Sequence, residues 1–559
     1  MGYDWKNLRG DLIGGLVAGV IALPLALAFG VQSGLGAEAG LYGGIAVGIF
    51  AALFGGTPTQ ASGPTGPMTV VSASIVAYAI TTAGDIQSGL GLILLSFLAG
   101  GVIQIVLGLL GVGRYVRYFP YPVVSGFMSG VGVIIVLLQL WPLMGSKSPK
   151  STLEVITKIG EPLSKINWAA VALGVFTIAV NYVFPKLTKK VPSVLVALLA
   201  GTGAALLLNL DVPKIGDIPS GLPSLKIRQM LNVNPEQAVF ILKSGLTLAL
   251  LGSIDSLLTS VIADNVTKTQ HDSRRELIGQ GIGNMIASVF GGIPGAGATK
   301  GTVVNINAGA RTRLSGVTHG LFQLAALLGL GSMVSYIPLS VLAGLLIAVG
   351  VAIIDTKGLK HLTDVPKSDA AVLIVVLLWT VFGNLINAVG AGMVLASVLF
   401  MKKSADLIEA GTSISPLDPE PVWDDEADGV NDADVGRSVY IKHLYGPLFF
   451  GFSAGFRALA ESLPSDARVI VIRGERVPYI DQSGLYTLED AILTLTREGK
   501  TVVLTGFKGQ PVDMMRKIDL IPGLVEEDRV FDTFNSFERW LVGNPEFGRA
   551  PEAADPTTP

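Results

Sequence analysis

The chain has 559 residues, 15% of them charged and 50% hydrophobic, with a mean hydropathy of +0.58. Soluble globular domains carry about 25% charged residues, so most of this chain belongs in a bilayer. A net charge of −3 gives a nucleic-acid partner no electrostatic support, and the absence of cysteine excludes disulfides, thiolate metal sites and lipidated thiols.

Leu12 to Val31 follows Lys6 and Arg9 as the core of a signal peptide would. It is too long for that and runs into a second apolar segment, so it reads as a first membrane span. Apolar segments of about 20 residues, the length that crosses a bilayer core, recur as far as Phe400. In chain order they fall near 12–32, 38–55, 68–81, 90–112, 121–143, 167–184 and 191–209, then 237–262, 275–291, 301–310, 314–334, 337–354, 368–384 and 386–402. Residues 1–403 are therefore expected to form an α-helical polytopic membrane domain of fourteen spans.

Two stretches inside this region are near copies. Gly63 to Val71 (GPTGPMTVV) and Gly295 to Val304 (GAGATKGTVV) each set a Gly/Pro-rich break before a Thr-Val-Val helix start. Irregular backbone at membrane depth is tolerated only where protein buries it or where it lines a cavity. Paired breaks in corresponding positions of two halves point to a transporter's substrate site. The repeat is legible in the numbering: one common offset relates Gly19 to Gly252, Ile21 to Ile254 and Thr69 to Thr302. AALFGGTP (Ala51 to Pro58) matches ASVFGGIP (Ala287 to Pro294) at an offset only slightly larger. Seven spans per copy, an odd number, makes this a 7+7 inverted repeat, bringing two short half-helices N-terminus towards N-terminus near the midplane. Each N-terminus carries roughly half a positive charge, which suits an anion. The expected anion donors are the backbone N–H groups of Thr65, Gly66, Met68 and Thr69 and of Ala298, Thr299, Gly301 and Thr302, with the hydroxyls of Thr65, Thr69, Thr299 and Thr302.

Asp255, deep in the eighth span, is the other chemical landmark. A carboxylate in the membrane costs about 3 kcal/mol on insertion scales and is usually functional. Thr259 lies one helical turn later on the same face, so the pair offers hard oxygen ligands to a small coupling cation. At the common offset its counterpart is Ala22, so the charge occurs in one copy only. Lys300 has three readings: a fixed charge for the anion, a neutralising partner for Asp255, or a side chain turned away into a vestibule, the last favoured. Lys243 is expected to snorkel to the interface. His271, His319, His361 and His443 show no metal-ligand spacing, and with no nucleophile–base pair or phosphate loop the chain is not read as an enzyme.

The basic residues Lys6/Arg9, Arg114/Arg117, Lys186/Lys189/Lys190, Lys268/Arg274/Arg275, Arg311/Arg313, Lys357/Lys360 and Lys402/Lys403 fall on one side of this topology, which puts both termini in the cytoplasm. Residues 404–437 read as an acidic linker, 438–544 as a soluble α/β domain, and 545–559 as a disordered tail. VYIKHLYGPLFFG reads as two short strands. Ser483, at a strand-to-helix turn, either accepts phosphate or, more simply, caps the helix.

GDLIGGLVAGVIALPLALAFGV, the PTGPM break, the GSIDSLLTSVIAD span and the GAGAT...RT segment resemble the SulP family of inorganic anion transporters. The segment around IDQSG is similar to that family's C-terminal STAS domain. The resemblance implies a uracil-permease-like fold, with a core domain (spans 1–4 and 8–11) moving against a gate domain (spans 5–7 and 12–14) in a homodimer. It also implies a bacterial inner membrane location and a STAS domain open to cytoplasmic partners. Within the family, ALPLALAFGV, GAEAGL, AALFGGTPT and PTGPMTVV most resemble the BicA type of sodium-dependent bicarbonate importers. Carried over, that type's sodium site falls on Asp255, Thr259, Gly297 and Thr299 with the Ala298 backbone, and its bicarbonate site on Thr65, Gly66, Ala298 and Thr299. Sodium would be the coupling ion, with no other cofactor; the alternatives are a sulfate or dicarboxylate transporter coupled to a proton on Asp255, and an anion channel. Lys300 departs from the apolar residue expected there, and Gly301 stands where many sulfate and chloride carriers have arginine.

Overall fold

The computed structural model describes residues 5–544 apart from 115–118, 150, 189–190, 217–220, 222, 232–233, 384, 411–412, 417–437 and 450–466. Arg117, Lys189, Lys190, most of the acidic linker and the 545–559 tail lie outside the described residues. The chain divides into two compact units, Met1–Ala396 and Ser397–Pro559.

Helices occur at each of the fourteen expected segments: α1 (Leu8–Ser33), α2 (Ala37–Phe54), α3 (Gly66–Ala83), α4 (Ile86–Leu109), α5 (Tyr121–Leu143), α6 (Trp168–Leu187) and α7 (Ser193–Leu207), then α8 (Ala238–Thr267), α9 (Ser273–Val289), α10 (Thr299–Asn307), α11 (Arg313–Val334), α12 (Leu339–Ile353), α13 (Lys367–Phe382) and α14 (Leu385–Ala410). Eight of the described helices are long and apolar enough to cross a membrane. The two half-helices are unequal, since α3 has 18 residues and α10 has 9. Gly309, at a φ of +112° that side chains rarely adopt, closes the turn after α10.

Packing separates two groups. In one, α1 packs on α11 and α2 on α9 and α11, while α4 packs on α8 and α9. In the other, α5 packs on α12 and α13, and α6 on α7 and α12. Exchanging α1 with α8, α2 with α9 and so on maps α1–α11 onto α8–α4, α1–α10 onto α8–α3, and α5–α13 onto α12–α6, as two related halves require. The relation extends into the second group. Pro120, Gly126 and Gly132 of α5 and its cap correspond, at a single shared spacing, to Pro338, Gly344 and Gly350 of α12 and its cap. A Cβ on Gly132 would come within 2.6 Å of the Gly350 carbonyl oxygen, and one on Gly350 within 2.9 Å of that of Gly132. Only hydrogen fits between these backbones, which is how small residues let membrane helices approach.

The breaks meet as strands. Ser62–Gly63 (β1) pairs antiparallel with Ala296–Gly297 (β2), in the register Ser62 to Gly297 and Gly63 to Ala296. Gly63 and Ala296 are themselves separated by the offset that relates Thr69 to Thr302, so a pseudo-two-fold axis passes through their pair.

The second unit is an α/β sheet in the order β3 (Ser413–Pro416), β4 (Val439–Tyr445), β5 (Val469–Arg476), β6 (Thr501–Thr505) and β7 (Val530–Phe531), parallel except for β3. Side chains alternate across it. Ile470, Ile472 and Leu504 face a core with Leu485, Leu488 and Ile492 of α15 (Gln482–Arg497) and Met515 of α16 (Gln510–Lys517). Val469, Val471 and Val503 face Phe534, Phe537 and Leu541 of α17 (Phe534–Gly543). Three expectations change. Helix α14 runs to Ala410, and β3 adds to the sheet, so the stretch from 404 is not all linker. Among the described residues only the first of the two short strands forms, with Leu448 making a single bridge to Ile480. The helix cap is Asp481, which accepts from the Gly484 N–H at 2.7 Å, and Ser483 is exposed in the first turn.

Candidate ion and anion site

The β1–β2 pair forms because its polar backbone is satisfied from all sides. The Ala298 N–H donates to the Ala61 carbonyl at 2.8 Å, and the Ala61 N–H donates to Thr302 Oγ1 at 3.0 Å. Asn284 of α9 clamps Gly295 through both its amide atoms, accepting from the Gly295 N–H at 2.8 Å and donating to its carbonyl at 3.1 Å. The chain entering β1 is held by Glu276, which the sequence reading passed over. Its Oε2 accepts from the N–H groups of Gly56 at 2.9 Å and Thr57 at 2.8 Å. Its Oε1 accepts from Gln60 Nε2 at 2.7 Å and Gln280 Nε2 at 2.9 Å. Ser260 Oγ extends the network, donating to Gln60 Oε1 at 3.1 Å.

On this frame α8 meets both breaks. Thr65, the residue before α3, donates through Oγ1 to Asp255 Oδ2 at 2.9 Å. Thr259 Oγ1 lies 3.0 Å from the Gly297 carbonyl, to which it donates, and 2.8 Å from Thr299 Oγ1. The Gly297 N–H donates to Ser256 Oγ at 3.1 Å. One helix face thus gathers a carboxylate, four hydroxyls and a carbonyl, all hard oxygens of the kind small cations take. A hydrogen-bonded network of this sort can open to a bare ion without moving the backbone, because each hydroxyl can rotate its proton away.

The expected anion donors sort differently. Helix α3 begins at Gly66 and α10 at Thr299, so Thr69 and Thr302 already stand inside the first turn. Their N–H groups close it on Thr65 and Ala298 carbonyls at 2.9 and 2.8 Å, and both residues are fully buried. Their amides are therefore not free to meet an anion, and the Thr302 hydroxyl serves β1, whereas the buried Thr69 hydroxyl has no partner. The Ala298 N–H is likewise taken by Ala61. Met68, 1% exposed, can offer only its amide. Helix geometry leaves the amides of Gly66 and Met68, and of Thr299, Lys300 and Gly301, without intrahelical acceptors. Proline at 67 removes no needed donor. Gly66 touches the other packing group, since a Cβ there would lie 2.7 Å from Ile353 Cδ1 and 2.9 Å from Ile135 Cδ1.

Two cavities flank these residues. One, of about 320 Å³, is lined by Asp255, Ile254 and Leu258 of α8, apolar residues of α5 including Val123 and Phe127, Met393 of α14, and Lys243. The other, of about 260 Å³, is lined by Ala22 and Leu25 of α1, Ala298, Lys300 and Gly301, and His319 and Gln323 of α11. Lys300 is exposed to that cavity and forms no ion pair with Asp255 among the described residues. No group of three or more His, Asp or Glu side chains that could hold a metal occurs among the described residues.

Residues 8–376 match the model of the sulfate permease family, and residues 432–536 that of the STAS domain. A curated relative, the bicarbonate transporter BicA of Synechocystis sp., is 40% identical over 490 residues, covering 86% of this chain and 85% of its own. Among solved structures, the transmembrane domain of a cyanobacterial bicarbonate transporter BicA is 43% identical and covers 70% of this chain and 98% of its own, with a TM-score of 0.64. The murine solute carrier 26 family member A9 anion transporter, in its inward-facing state, shares the fold at 20% identity, with a TM-score of 0.82 over 97% of this chain and 93% of its own. The helical unit falls largely within the first match and the α/β unit largely within the second, and the chain belongs to the sulfate permease family.

Proposed function

We propose that this anion transporter carries bicarbonate together with sodium. The observation that carries the reading is the junction of both breaks with α8, through Thr65 on Asp255 and through Thr259 on Gly297 and Thr299. Sodium would sit among Asp255, Thr259, Thr299 and the Gly297 carbonyl, with the Ala298 backbone alongside. Bicarbonate would be held by the free amides at the starts of α3 and α10, with the Thr65 and Thr299 hydroxyls. The two ions favour each other because opposite charges a few ångströms apart in a low-dielectric site attract strongly. An unmatched charge crossing the membrane is costly, so movement is favoured with both ions aboard or neither. The 40% identical BicA relative supports bicarbonate as the anion. The two packing groups support an elevator-like movement, with α1–α4 and α8–α11 as the moving core and α5–α7 and α12–α14 as the gate. The same reading makes the protein a homodimer in the bacterial inner membrane, with its termini and STAS domain in the cytoplasm.

Uptake of radiolabelled bicarbonate and sulfate into proteoliposomes, with and without a sodium gradient, tests this. Saturable bicarbonate uptake that needs inward sodium is expected, and Asp255→Asn abolishes it while the protein stays folded. Uptake driven by a pH gradient without sodium would replace this reading with proton coupling. Near-normal sodium-driven uptake by Asp255→Asn would remove the carboxylate from the cation site.

A further inference from the structure

The cavity beside Asp255 has a floor made of two neighbouring ridges of α8. Lys243, Thr247, Leu251 and Asp255 follow one another at four-residue steps, and Leu246, Leu250, Ile254 and Leu258 do the same beside them, the rows against which another element usually packs. Phe127 of α5 and Gly390 of α14 stand in the facing walls. A Cβ on Gly390 would meet nothing within 4 Å, so α14 leaves space at that point. Among the described residues that line the groove, only Lys243, Thr247 and Asp255 are polar, and the Thr247 hydroxyl is spent on the Lys243 carbonyl at 2.9 Å. The cavity that corresponds to it in the repeat, lined by Ile21, Ala22 and Leu25, also carries Asn181, Ser193, His319 and Gln323 and is the more polar of the two. The charged ends of the groove differ in their partners. Asp255 is held by Thr65 Oγ1 at 2.9 Å, whereas the exposed Lys243 ammonium has neither ion pair nor hydrogen bond among the described residues.

We propose that this groove is a phospholipid site, with the phosphate on Lys243 and one acyl chain laid along α8 as far as Asp255. The two charged residues lie on one row of the helix, about 18 Å apart at 1.5 Å per residue. One leaflet of hydrocarbon is about 15 Å deep, half of a bilayer core, so a lipid whose phosphate sits at Lys243 ends its chain near the depth of Asp255. The groove encloses about 320 Å³. An apolar cavity of this kind stays dry, and one that faces a bilayer fills with hydrocarbon. The ammonium is matched by phosphate, while its stem lies along the apolar floor. The consequence falls on Asp255. Its Oδ2 meets Thr65 on the side of the breaks, and the chain end covers it on the side of α5 and α14, so water and cations reach the carboxylate only from the breaks. Helix α8 belongs to one packing group and α5 to the other, so the lipid bridges them and its occupancy follows their relative position. The site stands whichever ion Asp255 holds.

Full-length protein in liposomes is irradiated with phosphatidylglycerol that carries a diazirine at the end of one acyl chain, and the labelled residues are mapped by mass spectrometry. Labelling of Ile254, Leu258 and Phe127 is expected. Lys243→Met should cut it several-fold, and Lys243→Arg should restore it. Gly390→Phe, which projects into open space, should cut it with Lys243 in place. Labelling at Leu199 of α7, 61% exposed, reports the surrounding lipid and should be the same in every variant. Undiminished labelling of the groove in Lys243→Met or in Gly390→Phe would overturn the site. Equal labelling by a diazirine fatty alcohol, which has no phosphate, would overturn the headgroup contact, and labelling confined to Leu199 would overturn the groove as a lipid site altogether. Uptake does not enter the readout, so a failed sodium test leaves these results to stand or fall on their own.

Discussion

Glu276→Gln is the sharpest test of how the paired breaks are held. The substitution keeps the side chain's shape, so no cavity or overpacking enters. Glu276 is 1% exposed and faces four N–H donors, two on each carboxylate oxygen. An amide turns one of those oxygens into a donor, and either orientation sets it against two N–H groups. Two bonds to a charged acceptor are lost, each worth about 1.5–3 kcal/mol, so the loss is about 3–6 kcal/mol before relaxation. Its effect falls on Gly56, Thr57 and Gln60, the approach to β1. The measurement is the temperature at which purified full-length protein loses its monodisperse peak, with anion uptake measured at a permissive temperature. A fall of many degrees is expected, with impaired uptake where the protein survives. Parental stability and normal uptake in Glu276→Gln would refute the claim that this carboxylate organises the first break.

Two glycines a few residues apart should respond oppositely to alanine. A Cβ on Gly295 would lie 2.2 Å from the Gly63 carbonyl oxygen and 2.3 Å from its carbon, both backbone, whereas on Gly301 it would meet nothing closer than 3.6 Å. Gly295→Ala should cost about 1–3 kcal/mol or more, and Gly301→Ala should be near neutral in stability. Comparable melting of the two variants would contradict the observed pairing of the breaks. Asp355, in the turn after α12, accepts from Ser125 Oγ at 2.6 Å and the Gly358 N–H at 3.0 Å, and also from the Tyr121 hydroxyl. Burial works against its charge, but the hydrogen bonds from Ser125, Tyr121, Gly358 and Lys357 outweigh burial and hold its carboxyl below the ordinary 3.8. A depressed folded value means that its stabilisation is fully present above about pH 4 and is lost as pH falls through that lower value. Asp355→Asn should therefore destabilise at neutral pH, and its deficit should shrink in the acid range. A deficit that grows on acidification would reverse the sign of this linkage.

Sequence pattern reached the architecture because its strongest signals are local or repeated. The breaks declare themselves by glycine and proline next to Thr-Val-Val. Asp255 stood out because a lone acid in an apolar span is conspicuous. Glu276 escaped for the converse reason: in SRRELIGQ it looks like the solvated first turn of a helix, and its backbone partners Gly56 and Thr57 lie in the other copy, far away along the chain. The amides of Thr69 and Thr302 were misassigned because the pattern located each break but not the residue at which the helix begins. A start three residues earlier consumes those amides. Ser483 lost the cap to Asp481 by a similar margin, where an earlier carboxylate on the same turn reaches the amide first.

The departures from two-fold symmetry are as informative as the symmetry. Much of the helix packing obeys the axis: the β1–β2 register, the glycine contact between α5 and α12, and the exchange of α1–α11 for α8–α4. What breaks it is chemical. Asp255 replaces Ala22, Lys300 replaces Pro67, and α10 has half the length of α3. A symmetric frame gives two equivalent cavities and two facing helix starts, which alone would give a protein no preference between them. A carboxylate of α8 lines one cavity and an ammonium of α10 lines the other, so the two are chemically distinct. On the proposed mechanism, the charges of Asp255 and Lys300 offset one another, and adding one sodium and one bicarbonate leaves the net charge of the moving group unchanged. Loaded and empty forms would thus meet similar electrostatic barriers. Methionine at 300 would leave Asp255 unmatched and shift the charge of the moving group by one in both forms, so the voltage dependence of the exchange rate should differ between the parent and Lys300→Met; identical voltage dependence would refute this.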